Sequence, residues 1–183
     1  MFPSIVLVGV ECTGKTRLSQ YLARHLERPL VAEQARGWLA ERGNRYAEGD
    51  LLTLAELQWR AEHLARAEGK APVVDTDLVV IQIWSEVRFG GCHPRILELL
   101  AARPPAVYLL PRPDLPWQAD AQRESPDPAE RAALHRRYRS LLDTLGHPWF
   151  EIGGTGPARE QAALDAWSRH ALLEGGGGSK NDV

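Results

Sequence analysis

Apolar positions along this chain of 183 residues fall into two alternating rhythms. Short uncharged runs rich in β-branched residues occur at Ile5–Val8, in "RPLVAE" ending near Glu33, in "APVVDTD", in "PAVYLL" and in "PWFEI". Their length and composition suit strands buried on both faces of a parallel sheet. Between them the spacing turns helical. Leu18, Leu22 and Leu26 recur every four residues with Tyr21 and His25 alongside, predicting a helix from about Lys15. "GWLAERG" predicts a short helical piece. Residues 53–68 predict a long helix with Leu54, Leu57, Ala61, Leu64 and Ala65 on one face. "LVVIQIWSEVRF" fits either period, and its place after a buried strand favours a helix. Residues 131–146 and 157–174 predict two more. Five strands with helices between them predict an α/β fold, a five-stranded parallel sheet covered on both sides in three α/β/α layers. No internal repeat is evident. The Pro-rich stretch 111–128 is too long for an ordinary connection and is expected to be a lid.

The first strand runs into "GVECTGKT", residues 9–16, and then into the first helix. Strand, Gly-bearing loop and helix start, in that order, are the context a phosphate-binding P-loop requires. Backbone N–H groups of such a loop converge on an anion, and the helix dipole adds about half a positive charge at the same point. Gly9 and Gly14 allow close backbone approach, Lys15 reaches the β- and γ-phosphates, and the Thr16 hydroxyl ligates Mg²⁺. Gly9, Glu11, Cys12, Thr13, Gly14, Lys15, Thr16 and Arg17 therefore form the expected ATP-binding segment, with Cys12 a small filler in the loop. The bland alternative is a glycine turn capping a helix. By average residue usage the pattern arises by chance in about one chain in a hundred of this length.

Composition sharpens this in one respect. Only three of the 22 basic residues are lysine, and one of them is Lys15, where a compact ammonium suits phosphate. A net charge of −2 argues against nucleic-acid or membrane-surface partners. Cys12 and Cys92 make no disulfide framework, and no Cys/His spacing of the metal-binding kind occurs. No basic n-region precedes an apolar run and no 18-residue apolar span exists, so a cytoplasmic location is expected. "EGGGGSKNDV", 174–183, reads as a flexible linker of the sort appended to a domain, which leaves one domain over 1–173.

Further candidates lie at the expected strand ends, where ligands collect in doubly wound sheets. Asp75 ends the third strand and is the expected Mg²⁺ acid; the alternative is that it caps the next helix. Asp77 has two open roles, substrate binding and capping. Glu33 could accept a proton from an attacking hydroxyl with Arg36 positioning the acceptor, or the two could pair locally, being three apart. In the lid, Arg112 and Arg123 accompany Trp117 and Asp120. Arg123 is the candidate for neutralising charge on a transferred phosphoryl group, whereas most of Arg131, Arg136, Arg137 and Arg139 are expected on a solvated face. Trp117 is equally readable as the loop's hydrophobic anchor. The loop Gly153–Arg159 is a candidate adenine contact or a plain turn.

"GVECTGKT", "AEQAR", "VVDTDLVVIQIWSEVRFG" and "PDLPWQADAQR", in this order and spacing, resemble the ribosylnicotinamide (nicotinamide riboside) kinase domain of bacterial bifunctional NAD-biosynthesis and regulator proteins. The likeness runs from Ile5 to about Leu173. It implies a P-loop kinase-like fold and transfer of the ATP γ-phosphoryl to the 5'-hydroxyl of nicotinamide riboside, with Mg²⁺. It implies catalytic roles for Lys15, Glu33, Asp77 and Arg123, and puts Asp75 and Asp77 between metal and substrate. Glu33 and Arg36 would face the riboside, and Trp117, Asp120 and Arg123 would form the lid. Two positions depart from the family. Ala32 stands where an aromatic residue often precedes the glutamate, and Ala121 replaces the lid glycine. Two other readings stay open: a kinase for another nucleoside or nucleotide, differing around Glu33, Arg36, Trp38 and Tyr46 with Arg42 and Arg45 as extra phosphate ligands, and a regulatory ATPase with no small acceptor. The expected partner is a small-molecule substrate, and no oligomeric state is implied.

Overall fold

The first apolar run does become the central strand of the sheet. In the computed structural model, which describes residues 2–119, 122 and 126–175, β1 (Ser4–Leu7) pairs in parallel with β3 (Val73–Asp75) on one side and β4 (Ala106–Pro111) on the other. β2 (Leu30–Val31) and β5 (Trp149–Ile152) form the edges, giving the order β2-β3-β1-β4-β5. The chain builds to one side of β1 and then crosses to the other. That reversal opens a crevice at the C-terminal end of β1, where the glycine loop lies.

Side-chain alternation along β1 divides the core. Ile5 and Leu7 point into one layer with Leu18 and Leu22 of α1 (Lys15–His25) and Ala163 and Ala166 of α7 (Gly156–Gly175). Val6 and Val8 point into the other, against α3 (Glu48–Ala67), α4 (Leu78–Phe89), α5 (Pro94–Ala101) and α6 (Pro128–Thr144). α2 (Gln34–Ala40) follows β2 and buries Ala35 and Leu39. Leu18 and Leu22 are fully buried, so either one changed to Ala costs about 2–5 kcal/mol and loosens α1 from the sheet.

Three differences from the sequence reading have local causes. α3 starts five residues earlier, because the Asp50 carboxylate accepts the Ala47 N–H at 2.7 Å and supplies an N-terminal cap. Its buried face is Leu51, Leu54, Ala55, Gln58 and Glu62, and Leu64 is exposed. The face is rotated because a buried ion pair holds Glu62 inward, which a hydrophobic pattern cannot register. α5 was not assigned from the pattern; Pro94 opens it, His93 Nδ1 accepts the Arg95 N–H at 3.1 Å, and Ile96, Leu99 and Leu100 seat it.

Candidate active site

The glycine loop has the geometry of an anion cradle. Gly9 adopts a φ of 133°, and a Cβ there would stand 3.0 Å from Leu110 Cδ1. Gly14, at φ 78°, begins α1 with no side-chain cap, so the first N–H groups of the helix face the loop. Lys15 Nζ donates to the Gly9 and Val10 carbonyls at 2.8 Å each. Burial lowers its ammonium below the usual lysine range, against the pull of Glu33, Asp75 and Glu11.

Behind the loop stand two arginines that sequence reasoning did not put there. Arg131 of α6 is buried and donates to Glu11 O at 3.2 Å, Cys12 O at 3.4 Å and Leu115 O at 3.4 Å. Most of the four arginines of this helix were expected on a solvated face; Arg136, Arg137 and Arg139 are exposed, and Arg131 is the exception. Arg159 is also buried and donates to Thr13 O at 2.8 Å, to Gly154 O at 2.7 Å and to Asp114. Arg159 thus braces the P-loop and ties the loop 153–159 to Arg112 and Asp114. No local pattern could have signalled either residue's role, since their P-loop partners lie over a hundred positions away.

Thr16 and Asp75 meet at the metal side. Burial raises the Asp75 carboxyl above the usual range, while the neighbouring Thr16 hydroxyl and Lys15 ammonium oppose the rise. Asp75 Oδ1 is buried without a protein partner among the described residues. A hydroxyl beside an orphaned carboxylate oxygen fits Mg²⁺, which takes few protein oxygens and completes its shell with water and phosphate. Among the described residues no group of three or more His, Cys, Asp or Glu side chains gathers elsewhere as a metal site.

Asp77 falls into the second of its two roles. Its side chain is wholly buried, accepts the Val79 N–H at 3.0 Å as the cap of α4, accepts the Tyr108 hydroxyl at 2.9 Å, and pairs with Arg103. Arg103 in turn holds Glu62 at 2.7 Å. Asp77 does not line the cleft. Arg17 is exposed and pairs with Glu160 at 3.4 Å, and Arg112 pairs with Glu151 at 2.7 Å. Trp117 Nε1 donates to Glu11 at 3.0 Å, tying the start of the lid to the P-loop. Asp120, Ala121 and Arg123 lie outside the described residues.

Beyond the cradle the cleft continues, about 350 Å³ in all. Glu33 and Arg36 line it and pair with each other at 3.8 Å, the local contact their spacing allows. Val80, Ile83 and Leu134 make an apolar wall, with three aromatic rings set into it. Trp84 Nε1 donates to the Tyr46 hydroxyl at 2.9 Å and the two rings meet edge to face, 4.7 Å between centroids. Burial drives the Tyr138 phenol far above its usual range, and Glu33 and Glu11 add to the rise, so it stays protonated. Gln122 closes one side, donating to Arg36 O at 3.0 Å and Asn44 Oδ1 at 2.9 Å. Arg42 does not enter; it lies over the Trp38 ring, 3.9 Å from its centroid.

Thr76, between the two aspartates, was absent from the sequence candidates. Its φ of 69° is left-handed, a conformation that costs a β-branched residue about 1–3 kcal/mol. Its hydroxyl is buried without a protein partner among the described residues, and the residue lines the cleft.

This cradle and its surroundings can be set beside known proteins. Residues 4–159 match the family model described as an AAA domain. The chain belongs to that AAA domain family. No curated protein matches the sequence of this AAA domain. Among solved structures, NadR protein in complex with NR superposes on it with a TM-score of 0.72 at 18% identity, covering 99% of this chain and 52% of that one. NadR in complex with NAD and AMP-PNP gives 0.67 at 17%, covering 99% and 51%. Thymidylate kinase from Ehrlichia chaffeensis gives 0.67 at 14%, covering 92% and 98%. The chain spans about half the length of the NadR chains it matches. At these identities the likeness is one of fold: the AAA domain has the P-loop kinase architecture. No helix among its described residues is long and apolar enough to cross a membrane.

Proposed function

We propose that this chain is an ATP-dependent small-molecule kinase whose acceptor is nicotinamide riboside, phosphorylated at the 5'-hydroxyl to nicotinamide mononucleotide. The observation that carries the reading is the continuity of a phosphate cradle with an aromatic and apolar recess that has carboxylates at its mouth. Nicotinamide riboside is a planar cation on a ribose. A ring of that kind gains from the faces of Trp84, Tyr46 and Tyr138 and from the Glu33 charge. Trp84 supplies, from α4, the aromatic surface that Ala32 does not.

The reaction asks mainly for positioning and charge stabilisation. The N–H groups at the start of α1 and the Lys15 ammonium hold the β- and γ-phosphates, Lys15 exchanging its Gly9 and Val10 carbonyls for phosphate oxygens. Thr16 and Asp75 would hold Mg²⁺, which would offset the negative charge of the phosphates. Glu33, beside Arg36, orients the acceptor hydroxyl and takes its proton as the phosphorus–oxygen bond forms. Arg131 and Arg159 hold the loop's shape, and Arg123 of the lid is assigned the neutralising role over the γ-phosphoryl.

Trp84→Ala tests the acceptor end. It should raise KM for nicotinamide riboside by about tenfold or more and leave KM for ATP unchanged. An unchanged KM for the riboside would remove the aromatic-recess reading. Arg36 and Arg88 also line the cleft, which favours one second reading, an acceptor already bearing a phosphate. Stimulation by a nucleoside monophosphate and not by the riboside would select it.

A further inference from the structure

We infer that the Thr76 hydroxyl grips the phosphoryl group in transit, and that the left-handed backbone at this residue aims it. The inference rests on the phosphoryl-transfer reading of the cleft and adds a residue to it.

Thr76 is 5% exposed, yet it lines the cleft together with Lys15 and Thr16. Its Oγ1 has no partner among the described residues, although a buried hydroxyl nearly always has one. Its backbone is held from both sides. The Thr76 N–H donates to Leu7 O at 3.0 Å, fixing it beside the strand that leads into the P-loop. Asp75 before it is held in the sheet beside Leu7, and Asp77 after it is tied to Val79, Tyr108 and Arg103. The surroundings therefore impose a φ of 69° that a threonine would not choose. A residue selected for this backbone would be Gly or Asn, and one selected for packing alone would carry no orphan hydroxyl. Threonine in this place combines a strained main chain with a buried, unpartnered hydroxyl on a residue that lines the cleft beside Lys15 and Thr16. A phosphoryl group held by Lys15 and Thr16 would bring its oxygens to this residue, and a small turn about the side-chain bond would present the hydroxyl to them. A donor on a backbone fixed in advance stabilises the charge they carry, with little reorganisation at the moment of reaction.

Planar aluminium fluoride on ADP mimics that group and needs no acceptor, so the test is calorimetric binding of ADP with Mg²⁺, with and without aluminium fluoride. The wild type should bind ADP more tightly when aluminium fluoride is present. Thr76→Val should lose about tenfold or more of that gain while its affinity for ADP alone stays within about twofold. Thr76→Ser, which restores the hydroxyl, should recover most of the gain. Thr76→Gly removes both hydroxyl and strain; it should melt no lower than the wild type and bind the mimic as poorly as Thr76→Val, and it carries the comparison if the valine variant does not fold. Equal fluoride-dependent gains in wild type and variants would overturn the inference, as would no gain in the wild type. Lack of stimulation by nicotinamide riboside would count against the acceptor assignment and leave this comparison standing.

Discussion

Asp77→Ala separates a structural aspartate from a catalytic one. The carboxylate caps α4 through Val79, accepts the Tyr108 hydroxyl and pairs with the buried Arg103. Losing a cap costs about 1 kcal/mol. Leaving a buried charge without its partner costs about 3–5 kcal/mol, here toward the lower end because Glu62 still holds Arg103 at 2.7 Å. Both contributions come from one carboxylate and do not simply add. The expected loss is about 3–4 kcal/mol, a large share of the 5–15 typical of a domain. In a chain of this size it lowers the melting temperature by about 10 °C. Urea unfolding and thermal melts measure the loss, and Asp77→Asn, which keeps a capping oxygen, should fall between. Titrated in the cold, where the variant is folded, its ATP affinity should match the wild type. A variant as stable as the wild type that has lost acceptor-dependent turnover would refute the reasoning and return Asp77 to the substrate.

Other expectations follow from the same geometry. Lys15→Ala should abolish phosphoryl transfer with the melting temperature unchanged, because among the described residues the side chain hydrogen-bonds only to loop carbonyls; unfolding at room temperature would contradict this. Burial lowers Lys15, and phosphate restores its charge, so ATP binding should take up a proton at alkaline pH and weaken as pH rises, starting below lysine's ordinary pKa of about 10.4; calorimetry in two buffers reads the uptake. Arg131→Met should weaken ATP binding although its side chain touches no ligand, since the Glu11 and Cys12 carbonyls lose their brace; unaltered affinity would make that brace dispensable. Burial opposes ionisation of Glu151, but His135 and Arg112 outweigh it and hold its carboxyl below the usual range. A depressed carboxylate lends stability that is present above the unfolded pKa, about 4.3, and lost as pH falls through the folded value. Wild type should therefore lose more stability on acidification than Glu151→Gln, as followed by denaturant melts across acid pH.

What could be read ahead of the structure was whatever a local pattern records. β1, the glycine loop and α1 are contiguous, and their apolar spacing and two glycines predict both the fold and the cradle. The five parallel strands were legible for the same reason, each being a short apolar run. Interactions over long sequence distances were not. Glu62 faces inward because of Arg103, 41 residues on, so the face of α3 was misjudged. Asp77 stayed ambiguous until Arg103 and Tyr108 appeared beside it. Arg131 and Arg159 reach the P-loop from over a hundred residues away. Thr76 was invisible for a different reason, because neither a positive φ nor an orphaned hydroxyl is written in residue type.

Phosphorus NMR of the purified protein with ATP, Mg²⁺ and nicotinamide riboside tests the central claim most directly. The account predicts ADP and nicotinamide mononucleotide in equal amounts, and neither product when Lys15 is replaced by alanine. ADP accompanied by free phosphate, at a rate indifferent to the riboside, would contradict it and identify an ATPase.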